Sequence, residues 1–235
     1  VKEMPPPRSA ASRVAAPHPG EGPWMTQGVG PRAWGRPGGA HAMLHRFALA
    51  DLSATPWKNG GGSTREIVCW PPGAGMDSFD WRVSVATIAR SGPFSVFTGV
   101  DRVIVLLEGD GVRLQSAGGI HHRLDQALQP FAFPGEEALH CTLLGGPSQD
   151  FNVRTRRKAW RAGVRVLQAA TPFPPAPRGL LLAVRGHWQL HADGAAQECA
   201  AGQGLWWDGE AQGWLARPLG DDAALLWVRL DVVGA

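Results

Sequence analysis

Val103–Ser116 reads VIVLLEGDGVRLQS: a run of Val, Ile and Leu, then Gly-Asp-Gly, then a short run that alternates apolar and polar. β-Branched residues and Leu bounded by a glycine turn predict a strand, a tight reversal and a second strand, that is, a hairpin. The same texture continues outward. WRVSVATIA (Trp81–Ala89) alternates at its start, as a half-buried strand does. ALHCTLLGG (Ala138–Gly146), FNVRTR (Phe151–Arg156) and GVRVLQAA (Gly163–Ala170) are further strands between Gly, Pro or Asp. LLLAVRGHWQLHADG (Leu180–Gly194) repeats the strand, turn, strand pattern, and GLWWDG (Gly204–Gly209) and ALLWVRLDVV (Ala224–Val233) follow it. No compelling segment of 3.6-residue period interrupts the series. Closely spaced strands with Gly/Pro turns predict an all-β barrel or sandwich.

The similar texture of the two halves suggests two related barrels, with the Pro-rich TPFPPAPRG (Thr171–Gly179) as a link. Residues 1–42 hold eight prolines, seven glycines and little aliphatic pattern. Such a segment buries too little surface to offset its ordering entropy and is expected to be a disordered leader. The expected division is therefore 1–42 leader, 43–158 first barrel, and 159–235 second, smaller barrel.

The chain carries 23 Lys/Arg against 20 Asp/Glu. Five of the bases and two of the acids lie in residues 1–42, so the rest is neutral at 18 of each. A neutral body argues against nucleic acid as the main partner, since phosphate binding needs a clustered basic face. No apolar run reaches the length of a membrane span, and the first residues lack a secretory apolar core. Cys69, Cys141 and Cys199 are odd in number and far apart, which fits reduced thiols in a cytoplasmic protein.

PWKNGGGSTRE (Pro56–Glu66) packs Lys58, Asn59, Thr64, Arg65 and Glu66 around three consecutive glycines. Three glycines allow a bend that few side chains obstruct, and so a small polar ligand close to backbone. The spacing is not that of a P-loop, because Lys58 precedes the glycines. In strands, alternate residues share a face. Thr64 and Glu66 share one, opposite Arg65 and Ile67. Arg82 and Ser84 share one, opposite Trp81, Val83 and Val85. Asp150 and Asn152 share one, opposite Phe151 and Val153. Turned inward, these faces form a pocket with guanidinium, hydroxyl, amide and carboxylate groups, and an arginine fork suits a ligand carboxylate. Turned outward, they are ordinary solvated strand faces.

Metal ligation gains little support. His121 and His122 are adjacent and point to opposite faces. His140 has no HxH partner, and His187 and His191 would lie roughly 13 Å apart along a strand. No Gly-x-Ser-x-Gly or recognisable catalytic cysteine is present.

The pieces PWKNGGGSTREI, FDWRVSVATIARSGPFSVFTGVDRVIVLLEGDG and QPFAFPGEEALHCTLLGGPSQDFNVRTRR, with weaker GHWQL and GLWWDG, resemble the HutD/Ves family. The resemblance covers Met43 to about Arg157 and parts of the second half. It implies a bicupin with a ligand pocket in the first, larger barrel. It also implies an accessory or regulatory role in histidine utilisation, with a small carboxylate or formylated acid as ligand. Asn59, Thr64, Arg65 and Glu66 fall on the family's first motif, Trp81, Arg82 and Ser84 on the second, Asp150 and Asn152 on the third. Where a methionine often follows that third motif's Asn, this chain has Val153–Thr155. The HxH-and-Glu metal motif of typical cupins is missing. The resulting expectation is a cytoplasmic, cofactor-free binding protein with no metal, in which Arg82 or Arg65 pairs with the ligand carboxylate. Its partner would be a small organic acid, and self-association into a homodimer is left open. The rival readings are a metal-dependent cupin isomerase or oxygenase around His121 or His140, and a protein-interaction scaffold.

Overall fold

A computed structural model describes residues 43–192 and 195–234, without the side chains of 210–212. The leader expected for residues 1–42 lies outside the described residues. Strands β1 (Met43–Ala48), β2 (Ala54–Pro56), β3 (Gly62–Trp70), β4 (Trp81–Ile88), β5 (Gly92–Pro93), β6 (Val100–Glu108), β7 (Val112–Gln115), β8 (His121–Leu124), β9 (Pro130–Pro134), β10 (His140–Leu143) and β11 (Ser148–Arg156) come first. Then follow β12 (Trp160–Leu167), β13 (Thr171–Arg185), β14 (His187–Ala192), β15 (Ala195–Ala200), β16 (Gln203–Pro218) and β17 (Ala224–Val232). Apart from strands, the described residues include a single 3-10 turn, Leu49–Asp51. No helix among them is long and apolar enough to cross a membrane.

The first barrel faces a six-stranded sheet, β2-β3-β4-β11-β6-β9, with a four-stranded one, β5-β10-β7-β8. The second is a seven-stranded curled sheet, β12-β17-β13-β16-β14-β15, completed by β1 on β16. Strand β1 thus serves the second barrel, with Met43 opposite Asp208 and Ala48 opposite Gln203. All pairs are antiparallel, and the all-β, two-barrel architecture implied by the resemblance is what the chain adopts.

Two local expectations change. Val103–Ser116 is not a hairpin: β6 pairs with β11 and β9, whereas β7 pairs with β10 and β8. The Gly-Asp-Gly turn is a corner between sheets. Gly111 has φ 82°, and a Cβ there would stand 2.1 Å from the Leu124 carbonyl, so the corner closes only over glycine. Leu180–Ala192 is the expected strand, turn, strand, turning at Gly186 (φ 70°), though β13 and β14 lie apart in one sheet with β16 between them. The Pro-rich Thr171–Gly179 is no linker but the first half of β13. Its register against β16 shifts between Phe173 and Ala176 and again before Arg178, and such irregularities accommodate prolines that cannot donate to a ladder.

The alternation read in β4 and β11 decides the packing. One face of the large sheet, with Trp81, Val83, Val85, Val105, Phe151 and Val153, is buried against Leu180, Leu182, Leu226 and Val228 of the second barrel. Each such side chain is worth about 1.5–3 kcal/mol when fully buried, so this apolar seam joins the barrels firmly. The opposite face turns into the first barrel. There Ile88, Ile104, Leu106, Leu114, Leu124 and Leu139 fill one end. The interior of the second barrel is filled by Trp188, Trp207, Trp214 and Trp227 among aliphatic residues.

Candidate functional site

At the polar end of the first barrel lies a cavity of about 660 Å³. Its wall follows from register. In one row across three neighbouring strands stand Arg82, Arg154 and Arg102. Two residues further along each strand stand Ser84, Asn152 and Ile104, and beyond them Ala86, Asp150 and Leu106. Three guanidiniums therefore sit side by side, and one carboxyl lies deeper, between apolar neighbours.

Each guanidinium has a different environment. Arg82 Nε donates to Glu66 Oε2 at 2.6 Å. A register shift between Glu66 and Val68 leaves Ile67 and Val68 both buried while Glu66 stays on the cavity face. Bulges of this kind re-aim a side chain, here toward the arginine. Arg102 Nη2 donates to Asn152 Oδ1 at 3.2 Å, and its guanidinium lies 4.8 Å from the Phe133 ring centre and 5.2 Å from that of Phe94. Burial lowers its pKa to about 10, against the pull of Asp150. Arg154 lies over Phe97 at 5.0 Å and makes no side-chain hydrogen bond among the described residues. Burial first, then Arg102 and Arg82, push its pKa well below the usual arginine value, with Asp150 opposing.

Asp150 is the remaining buried charge. Its Oδ2 accepts from the Asn152 amide, and its Oδ1 is buried with no donor among the described residues. Burial raises its pKa to about 6, although Asn152, Arg102 and Arg154 pull the other way. The buried Nε of Arg102 and Arg154 likewise have no acceptor. Unpaired buried donors are costly, and this wall holds two of them.

The glycine bend builds the rim. Trp57 Nε1 donates to Thr64 Oγ1 at 2.8 Å, Asn59 Oδ1 accepts from the Gly61 amide at 2.9 Å, and Arg90 Nε donates to the Gly60 carbonyl at 3.1 Å. A Cβ on Gly62 would stand 2.1 Å from the Thr87 carbonyl, which explains glycine where the bend meets β4. Trp57, Phe94, Phe97 and the exposed Met76 form the apolar part of the wall.

Of the residues singled out in the sequence, Lys58, Asn59, Thr64, Glu66, Arg82, Asp150 and Asn152 line this cavity together. Arg65 is partly exposed and takes no part in the lining. Trp81 is fully buried in the seam between the barrels, stacked on Trp70 at 5.8 Å. Ser84 is buried on the cavity face but outside the lining. Sequence reasoning missed Arg102, Arg154 and the aromatic wall. Arg154 carried a readable signal, because it continues the Asp150, Asn152 alternation by one step. Arg102 carried none, since its place depends on β6 pairing with β11. The histidines lie elsewhere: His121 and His140 are exposed on the small sheet, and His122 stacks on Phe131 at 3.7 Å. Among the described residues no three His, Cys, Asp or Glu side chains gather as metal ligands.

The architecture is that of the cupins. A variant of Bacillus subtilis oxalate decarboxylase aligns with TM-score 0.54 at 10% identity over 80% of this chain and 79% of its own, a likeness of fold alone. The chain belongs to the HutD/Ves family: the HutD family model matches residues 49–226. Protein Ves of Cronobacter sakazakii is 40% identical over 162 residues, 68% of this chain and 85% of its own. A conserved protein of unknown function from Pseudomonas aeruginosa PAO1 superposes with TM-score 0.74 at 35% identity, covering 80% of this chain and 99% of that one. HutD from Pseudomonas fluorescens SBW25 gives 0.70 at 31%, covering 82% and 100%.

Proposed function

We propose that the first barrel binds a small organic acid, a carboxylate or formylated acid, and that binding serves a regulatory or accessory role in cytoplasmic histidine catabolism. The observation that carries this reading is the row Arg82, Arg154, Arg102, in which only Arg82 has a carboxylate partner among the described residues. A ligand carboxylate set against Arg154 and Arg102 would accept the donors that the protein leaves unpaired. The family supplies the metabolic setting, and the P. fluorescens HutD structure was described in a formate condition, formate being the smallest such carboxylate. Trp57, Phe94 and Phe97 would cover the ligand's carbon atoms and exclude water.

The test is thermal denaturation of the full chain with formate, N-formylglutamate, urocanate, glutamate and histidine, each with and without divalent metals. A ligand at 100 times its dissociation constant adds about 2.7 kcal/mol. Stabilisation by one acid without metal is expected, with Arg82→Ala and Arg154→Ala each removing most of it. Stabilisation only with metal would replace this reading by a metal-dependent one, and none with any acid would overturn it.

A further inference from the structure

Asp150 is an odd neighbour for an anion site. It lies on the same wall as the three guanidiniums and presents one buried oxygen that receives no hydrogen bond. An ionised carboxylate in a protein interior normally accepts several. The groups that face it are Asn152 and Arg154 on its own strand, Arg102 from β6, Arg82 from β4, Glu66 from β3 and the Cys141 thiol from β10, with Lys58 at the rim. Glu66 is committed to Arg82, and Ala86 and Leu106 flank Asp150 across the sheet, so among the described residues no cation pairs with it directly. A carboxylate seated on Arg154 and Arg102 would stand beside a second carboxylate. Two such groups at close range cannot both stay ionised, and one proton shared between them turns repulsion into a short hydrogen bond.

We propose that Asp150 takes up one proton from solvent when the site takes its carboxylate, so that the ligand is held by a carboxylic acid as well as by guanidinium. This rests on the binding reading above. In the step, the Asp150 carboxyl gains the proton and donates it in a hydrogen bond to a ligand oxygen; buffer or water supplies it, and no other bond changes. The raised pKa of about 6 for Asp150 makes the uptake inexpensive near neutral pH.

The experiment is calorimetric titration of the full chain with N-formylglutamate and with formate, in buffers of different ionisation enthalpy and across a pH series. Uptake approaching one proton per site is expected, with the dissociation constant rising about tenfold per pH unit above about pH 7. Asp150→Asn supplies a permanent donor, so it should bind with little uptake and a flat pH profile. No binding of either acid at any pH would sink the binding reading and this inference with it. Binding without proton uptake would sink this inference alone, and needs only the wild-type protein. Uptake that persists unchanged in Asp150→Asn would assign the proton to another group and also overturn it.

Discussion

Replacing Arg154 by methionine should stabilise the ligand-free protein and abolish its response to carboxylates. Arg154 stands between Arg82 and Arg102 in register and keeps its Nε buried without an acceptor. An unsatisfied buried donor costs about 1–3 kcal/mol, and the two flanking guanidiniums add repulsion. Against this, the arginine gains about 0.5–1 kcal/mol from lying over Phe97, and a methionine thioether recovers a contact of similar size. The attraction to Asp150 is also lost, but that carboxyl can take a proton near pH 6 and so limits the loss. The balance is a gain of about 1 kcal/mol, which raises Tm by about 2–4 °C in a chain of this size. Urea unfolding and thermal melts with and without formate measure both halves of the claim. A variant destabilised by more than about 1 kcal/mol, or one that keeps the wild-type shift with formate, would refute the view of Arg154 as an anion seat held at a cost to stability.

Three further outcomes follow from the same geometry. Because Asp150 has a raised folded-state pKa, its stabilising contribution is full below the unfolded value near 3.8 and is lost as pH rises through about 6. The stability difference between wild type and Asp150→Asn should therefore move by about 3 kcal/mol against the wild type between acid and neutral pH; a pH-independent difference in urea unfolding would contradict it. Gly62→Ala drives a methyl into the Thr87 carbonyl and should cost about 1–3 kcal/mol while weakening carboxylate binding, as the rim is displaced; an unchanged melting temperature would show that the bend yields freely. Trp207→Ala, in the filled second barrel, should cost about 3–5 kcal/mol yet leave the formate dissociation constant unchanged at a temperature where the variant is folded. A large change in that constant would mean that the second barrel tunes the site.

Much of the wall could be read from a two-residue period. Thr64 with Glu66 and Asp150 with Asn152 share faces because strands alternate, and the structure turns those faces inward since the opposite ones, Trp81, Val83, Phe151 and Val153, are needed to join the barrels. Local signals fail where pairing is decided at long range. Gly109–Gly111 looks like a hairpin turn, and only the partners of β6 and β7 reveal a corner. The prolines of Thr171–Gly179 suggest a linker, yet register irregularities absorb them. Arg102 enters the site because β6 lies beside β11, and Phe94 and Phe97 enter from the segment before β6, which no periodicity describes. Met43–Ala48 joins a sheet some 160 residues away along the chain, a pairing with no local signature.

The most direct test of the central claim is NMR of the arginine side chains in the full chain, following the Nε–H resonances of Arg82, Arg102 and Arg154 as formate is added. The account predicts that the Arg154 and Arg102 signals move downfield and saturate, with Arg82 moving less because Glu66 already holds it. Resonances of Arg154 and Arg102 that stay in place while formate reaches its highest usable concentration would contradict it.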